Sequence, residues 1–129
     1  MSREAMGVAA YLPDGTPNPI SPAVRAGAFV FFSGLMPKGA DGQIIEGDIT
    51  LQTKVVLDRL GNLLELADCS FGDVVKCMVW LTNAEDFKAF NTTYVSYFDG
   101  APPARSAVRS DLLLPGARLE LEAICYNPI

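Results

Sequence analysis

Four polar positions set among apolar neighbours are the places where this sequence could do chemistry. Arg105 follows the Pro102-Pro103-Ala104 break and opens a strand-like segment. A guanidinium fork binds a carboxylate through two parallel N–H bonds and stays charged at any working pH; a structural ion pair or an exposed strand arginine is the competing reading. Glu120 lies in an otherwise apolar strand with Glu122 on the same face. Like charge and burial would raise its pKa toward a value useful for proton transfer, whereas a solvated strand face with Arg118 as partner is the plainer reading. Asn91 falls between Phe87 and Tyr94 at helical spacing, inside an aromatic stripe. A buried amide there must find hydrogen-bond partners, whether to orient a loop or to touch a ligand. Ser33 and Gly34 end a Phe-rich strand; without a neighbouring base, Ser33 is limited to hydrogen bonding.

What is missing narrows the chemistry further. The chain contains no histidine, which removes Ser-His-Asp and Cys-His catalysis and every histidine-based metal site. Cys69, Cys77 and Cys125 are odd in number and show no Cys-x-x-Cys spacing, so they read as small, reduced core residues. Carboxylates, Arg, Lys, Tyr, hydroxyls, backbone groups and water are left; neither a metal nor a cofactor is expected.

The elements that must position these residues follow from periodicity. Asp14-Gly15 is a turn signal that could join two short strands, and Pro17, Pro19 and Pro22 hold an extended segment. Residues 28 to 34 read as a strand, apolar on both faces and so expected to be buried on both. Lys38 to Gly42 form a turn. Residues 49 to 68 read as an amphipathic helix capped by Asp48, with Leu51, Val55, Leu60, Leu63, Leu64 and Ala67 on its apolar face and Lys54, Asp58, Asn62 and Glu65 opposite. Residues 74 to 82 are a strand with Val75, Cys77, Val79 and Leu81 on one face and Lys76, Met78 and Trp80 on the other. Asn83 opens a second helix, with Asp86 as its capping-box partner and Phe87, Phe90, Tyr94 and Phe98 as its buried stripe. Residues 104 to 110 and 117 to 126 form two more strands around Leu114-Pro115-Gly116, the last directing Leu119, Leu121, Ala123 and Cys125 to one face and Arg118, Glu120, Glu122, Ile124 and Tyr126 to the other.

This order predicts an α+β layer, a mixed sheet with two helices packed on one face. Two helices cover one face only, so the second apolar face is expected to be hidden by self-association. The 129 residues read as one domain, 1 to 129. Half of them are hydrophobic and the net charge is −5, a balance that folds and that repels a nucleic-acid backbone. No stretch approaches a membrane-spanning helix. The start, Met1-Ser2-Arg3-Glu4-Ala5, has no apolar signal region behind it, so a cytoplasmic protein is expected.

The sequence resembles the RidA (YjgF) family from about Pro19 to the end. The matching pieces are Phe31-Phe32-Ser33-Gly34, Gln52-Thr53, Gly72-Asp73-Val74-Val75-Lys76, Asp86-Phe87, Phe90-Asn91-Thr92-Thr93-Tyr94 with Phe98, Pro103-Ala104-Arg105-Ser106, Leu114-Pro115 and Leu119-Glu120-Leu121-Glu122-Ala123-Ile124. Each is weak alone; their order and spacing are specific. The resemblance implies a chorismate-mutase-like fold and a homotrimer whose sheets pack around a central barrel, with a site at each subunit interface. It implies hydrolysis of reactive enamines and imines, such as 2-aminoacrylate and related 2-imino acids, to 2-oxo acids and ammonia. Under it Arg105 holds the substrate carboxylate, Glu120 positions or activates water, and Ser33, Gly34 and Asn91 line or support the pocket. Two positions depart from the family pattern: Ile20 stands where a tyrosine usually closes the pocket, and Ala107 where a cysteine usually follows the arginine. They leave open the substrate's side chain, and with it a dedicated catabolic hydrolase. A trimer that binds small carboxylates in the same clefts without turnover, chaperone-like, is the alternative of another class.

Overall fold

The computed structural model describes residues 3–8, 11–12 and 14–129; Met1 and Ser2, part of the N-terminal reading above, lie outside them. Strands β1 (Glu4–Met6), β2 (Ala23–Ala26) and β3 (Phe29–Leu35) are followed by helix α1 (Ile49–Leu66), strand β4 (Val74–Leu81), helix α2 (Phe87–Val95) and strands β5 (Ala104–Arg109) and β6 (Leu119–Tyr126). They form one six-stranded sheet in the order β1-β2-β3-β6-β4-β5. β6 runs antiparallel to both β3 and β4, while β4 and β5 are parallel. The chain therefore climbs β3, crosses by α1 to β4, crosses by α2 to β5, and inserts its last strand back between β3 and β4. Parallel strands joined by like-handed crossovers put both helices on one face of the sheet, and α1 packs against α2 there. This is the mixed α+β sheet with two helices that the sequence predicts.

The core lies between sheet and helices, where Val30, Leu57, Leu60, Leu64, Cys77, Val79, Phe90, Leu119 and Leu121 are fully enclosed. Asp48 caps α1, its carboxylate accepting from the Leu51 amide at 2.9 Å. The buried face of α1 differs from the apolar stripe of the sequence: Leu51 is 42% exposed, whereas Gln52 and Thr53 are buried. Gln52 lies inward because the structure uses its amide. Nε2 donates to the carbonyls of Ile45 and Gly116, each at 2.9 Å, and Oε1 accepts from the Arg118 amide at 2.7 Å. One side chain thus ties the loop before α1 to the loop that delivers β6.

Three further expectations shift by a residue or a partner. In β4 a bulge gives two steps, Val74 to Lys76, against one step of β6, Cys125 to Ile124. The extra residue reverses the pleat, so Val74 is buried and Val75 is 43% exposed. Asn83 caps a single 3-10 turn, Ala84–Asp86, and Asp86 is no capping-box partner: its buried carboxylate takes the Arg118 fork at 3.1 and 3.2 Å. Phe87 is consequently turned outward, and Phe90, Tyr94 and Phe98 alone form the buried stripe. At the Asp14-Gly15 turn the two flanking strands shrink to one bridge, Tyr11 to Pro17.

The face of the sheet away from the helices is uncovered in the single chain. Phe29, Phe31, Val108 and Tyr126 are exposed on it, so within the single chain β3 is buried on one face, and burial of the other would need a second chain. Removing the Gln52 amide leaves two part-buried carbonyls and one part-buried amide without that partner. Gln52→Ala is expected to destabilise the fold by about 3 kcal/mol, read as a lower urea midpoint; a change within a few tenths would show that the tether is dispensable.

Candidate functional site

The residues singled out by sequence fall into two groups. The first forms just before β2 begins, where β3 continues past it. Phe32 pairs with Ala123 and Leu35 with Leu121, three steps on β3 against two on β6, so Ser33 and Gly34 sit in an irregular turn of the strand. The Ser33 amide donates to the Pro22 carbonyl at 3.0 Å and its hydroxyl to the Ser21 carbonyl at 2.6 Å. These bonds hold the segment carrying Ile20 against the end of β3. Gly34 permits a close approach: a Cβ there would overlap the Glu120 carboxylate where it now lies, and that side-chain end would have to shift. Ser33, Gly34, Ile20 and Glu120 together line a cavity of about 480 Å³.

Glu120 is half-buried on the middle strand of the sheet. Burial, and then the like charge of Glu122, hold its carboxyl above the usual carboxylate range. Arg118, the neutralising partner of the plainer reading, is engaged by Asp86 instead. The carboxylate is left as a desolvated acceptor on a cavity wall, suited to hold a water and take its proton.

The second group gathers at the β5 edge. Arg105 pairs with Cys77 of β4 and points into the helix layer. Its guanidinium lies over three rings, with Cζ 5.5 Å from the centroids of Phe87 and Phe90 and 4.9 Å from that of Tyr94. Arg105 and Asn91 share a cleft with Tyr94, Val95 and Pro103. The Asn91 Oδ1 atom is buried there with no hydrogen-bond partner among the described residues. The Tyr94 phenol is buried beside the Cys77 thiol, and burial pushes both groups upward, so each stays protonated at neutral pH. Ala107 lies two residues beyond Arg105, in a small apolar recess with Leu81, Ala84 and Phe87.

The two groups do not meet within one chain. Arg105 is opposite Cys77 and Glu120 is opposite Trp80. Cys77 and Trp80 are three residues apart on β4, so their side chains leave opposite faces of the sheet. β4 also separates β5 from β6, a lateral gap of about 10 Å. Sequence reasoning missed a third contribution. Arg59, Asn62 and Lys38 line the Glu120 cavity as well, and the helical pattern marked only Asn62, as a solvent-face residue. Among the described residues no three His, Cys, Asp or Glu side chains gather as a metal site.

A family model described as Endoribonuclease L-PSP matches residues 15–127. A RutC family protein of Pyrococcus horikoshii is 39% identical over 118 residues, covering 88% of this chain and 94% of that protein. The mouse protein named 2-iminobutanoate/2-iminopropanoate deaminase is 38% identical over 113 residues, 85% of this chain and 82% of its own. The crystal structure of RidA from an Antarctic Psychrobacter superposes with a TM-score of 0.84 at 29% identity, covering 95% of this chain and 98% of that one.

Because Glu122 contributes to the raised Glu120 pKa, Glu122→Gln is expected to lower it while the part due to burial remains. Carboxyl ¹³C titration by NMR reads the shift; an unmoved titration would assign the whole effect to desolvation.

Proposed function

The chain belongs to the RidA (YjgF) family, and from that premise we propose that it hydrolyses 2-imino and 2-enamino acids to 2-oxo acids and ammonia, at a site completed by two copies of the chain. The observation that carries this reading is the division of the site. A carboxylate-binding arginine and a water-holding glutamate are each well placed but face opposite sides of one sheet. A second copy bringing its β5 edge to the Glu120 cavity would unite them. The exposed Phe29, Phe31, Val108 and Tyr126 supply an apolar face for such packing, and a closed cyclic trimer with a central barrel, chorismate-mutase-like, repeats one heterologous contact three times.

In this site the Arg105 fork takes the substrate carboxylate in two parallel bonds. That fixes C2 of the imine near Glu120, and positioning of this kind supplies much of the rate. Water adds to C2 as the C=N pair moves to nitrogen; Glu120 accepts the water proton and passes it on to that nitrogen. The carbinolamine then collapses: its hydroxyl proton passes by way of Glu120 to the nitrogen, the pair it leaves on oxygen forms the C=O bond and the C–N bond breaks, giving the 2-oxo acid and ammonia. An enamine enters the same path after tautomerising to the imine. The iminium carbon is already electrophilic, so neither metal nor cofactor is called for. Ser33 and Gly34 shape the wall beside Glu120, and Asn91 supports the Arg105 cleft. Ile20 and Ala107 make apolar the positions that carry a hydroxyl and a thiol elsewhere in the family.

The net charge of −5 speaks against an RNA substrate despite the wording of the family description. We propose a cytoplasmic location as part of the same reading. No helix among the described residues is long and apolar enough to cross a membrane.

The test generates imines in situ with an amino-acid oxidase and follows their decay. Arg105→Ala and Glu120→Gln should each reduce the accelerated decay by about 100-fold or more. When the two variants are unfolded, mixed and refolded together, about a quarter of the interfaces of a cyclic assembly regain both wild-type groups, and activity should return in proportion. No recovery on mixing would place both groups in one chain and overturn the shared site. The raised Glu120 pKa also sets the sign of the pH profile. The ionised base is lost as pH falls through that pKa, so the acid limb should lie above the ordinary carboxylate range and vanish in Glu120→Gln.

A further inference from the structure

The Glu120 cavity holds a cation that the proposed reaction does not use and that no acid neutralises among the described residues. Arg59 projects from α1, half-buried, and its Nη1 donates to the Met36 carbonyl at 2.6 Å. A guanidinium has five N–H donors, and this is the one bond recorded for it. No carboxylate pairs with it among the described residues, whose two salt bridges are Lys54–Asp58 and Asp86–Arg118. Burial depresses its pKa with no compensating acid. Lys38 lines the same cavity, and it too has no acidic partner among the described residues. In a chain of net charge −5, a pocket with two cations against one protonation-prone carboxylate is a local reversal of sign. Arg118 and Arg25 show the contrast. Arg118 is neutralised by Asp86, and Arg25 fills its fork with Gly27 and Asn127 acceptors.

We propose that Arg59, assisted by Lys38, is a specificity residue that binds a second anionic group at the far end of the substrate's side chain, so that the preferred substrates are imino or enamino diacids. This rests on the reading of Arg105 and Glu120 given above and names the substrate class of that site. Arg105 takes the carboxylate next to the reacting carbon, and Arg59 takes the other. Ile20, Leu63 and Leu114 contribute apolar lining to the same cavity, which suits the methylenes of such a side chain. The cavity, at about 480 Å³, has room well beyond a three- or four-carbon acid. A desolvated arginine fork discriminates a carboxylate from a methyl more sharply than an apolar wall discriminates one methylene, because an unmatched charge stays unpaired.

The experiment compares imines generated in situ from glutamate and aspartate with those from leucine and alanine, using oxidases of the matching specificity. Wild-type protein should show kcat/KM for the acidic imines at least about 10-fold above the neutral ones. Arg59→Gln should erase that preference through KM on the acidic imines alone, with neutral imines changed less than about 2-fold, and Arg59→Lys should restore part of it. Calorimetry supplies a readout free of turnover: 2-oxoglutarate should bind wild type about 10-fold more tightly than 2-oxobutanoate, and equally in Arg59→Gln. Neutral imines turned over with no preference for acidic ones would overturn this inference and leave the deaminase reading standing. Equal loss on both classes, or a change of oligomeric state in Arg59→Gln, would assign Arg59 to the Met36 contact or to a subunit interface and overturn it as well. No turnover of any imine, with no 2-oxo acid bound, would overturn both.

Discussion

The register of β6 is the constraint on which the rest depends. As the last strand, it enters between β3 and β4 and must choose which alternate residues it sends to the helix side. With Leu119, Leu121, Ala123 and Cys125 inward, Glu120 and Glu122 are outward. A slip of one residue would drive two carboxylates into an apolar core and expel four core side chains. Two polar devices at the strand's entrance forbid the slip. The Gln52 amide captures the Arg118 N–H, and Asp86 captures the Arg118 guanidinium. Both act on the residue before the strand begins, one through its backbone and one through its side chain. Register is therefore set by buried hydrogen bonds at one point and confirmed by packing along the length.

The same arrangement produces the electrostatics of the cavity. Because Asp86 occupies Arg118, the nearest cation in sequence is withheld from Glu120. Its folded-state pKa is raised, so the ionised form is disfavoured by folding. The sign of the linkage is that Glu120 lowers stability above the ordinary carboxylate range and is relieved of this as pH falls and it protonates. A fold that only maximised stability would place glutamine or an apolar residue here. An unpaired, partly desolvated acid beside a glycine, held at a cost in stability, is what the proposed role of Glu120 would require.

Much of this was legible in the sequence, and most failures share a physical cause. Strands β3 to β6, the two helices, the Asp48 cap and the alternation of β6 follow from period and cap chemistry, and the structure agrees; β1 and β2, short and without a clear alternation, were not legible. Leu51 and Gln52 exchange roles because the helical pattern scores hydrophobicity, whereas the buried position is fixed by three hydrogen bonds, one to the loop just before α1 and two to the loop before β6, more than 60 residues away. Val74 and Val75 exchange roles because a bulge changes the pleat without changing composition. Phe87 turns out because Asp86 turns in to meet Arg118, a partner more than 30 residues away. Each of these three misses is a tertiary contact overriding a local pattern. Arg59 is the harder case: its type and position on α1 carry no signal until the Met36 carbonyl and the cavity wall are in place.

An arginine that is to receive a carboxylate must be fixed without being neutralised. A resident ion pair would have to be broken at every binding event, and breaking a buried pair costs about 3–5 kcal/mol. Aromatic faces offer about 0.5–2 kcal/mol in a cation–π contact, enough to bias an orientation and too little to quench a charge. They also act on the flat face of the guanidinium, whereas a carboxylate binds in its plane, through the edge. The rings of Phe87, Phe90 and Tyr94 lie 4.9 to 5.5 Å from the Arg105 Cζ atom, and no carboxylate pairs with Arg105 among the described residues. The outward turn of Phe87 that began as a misfit with the helical stripe is thus what puts its ring within reach of the guanidinium. The strand edge then presents a held but unneutralised cation to whatever approaches β5, which is the geometry a site shared between two chains requires.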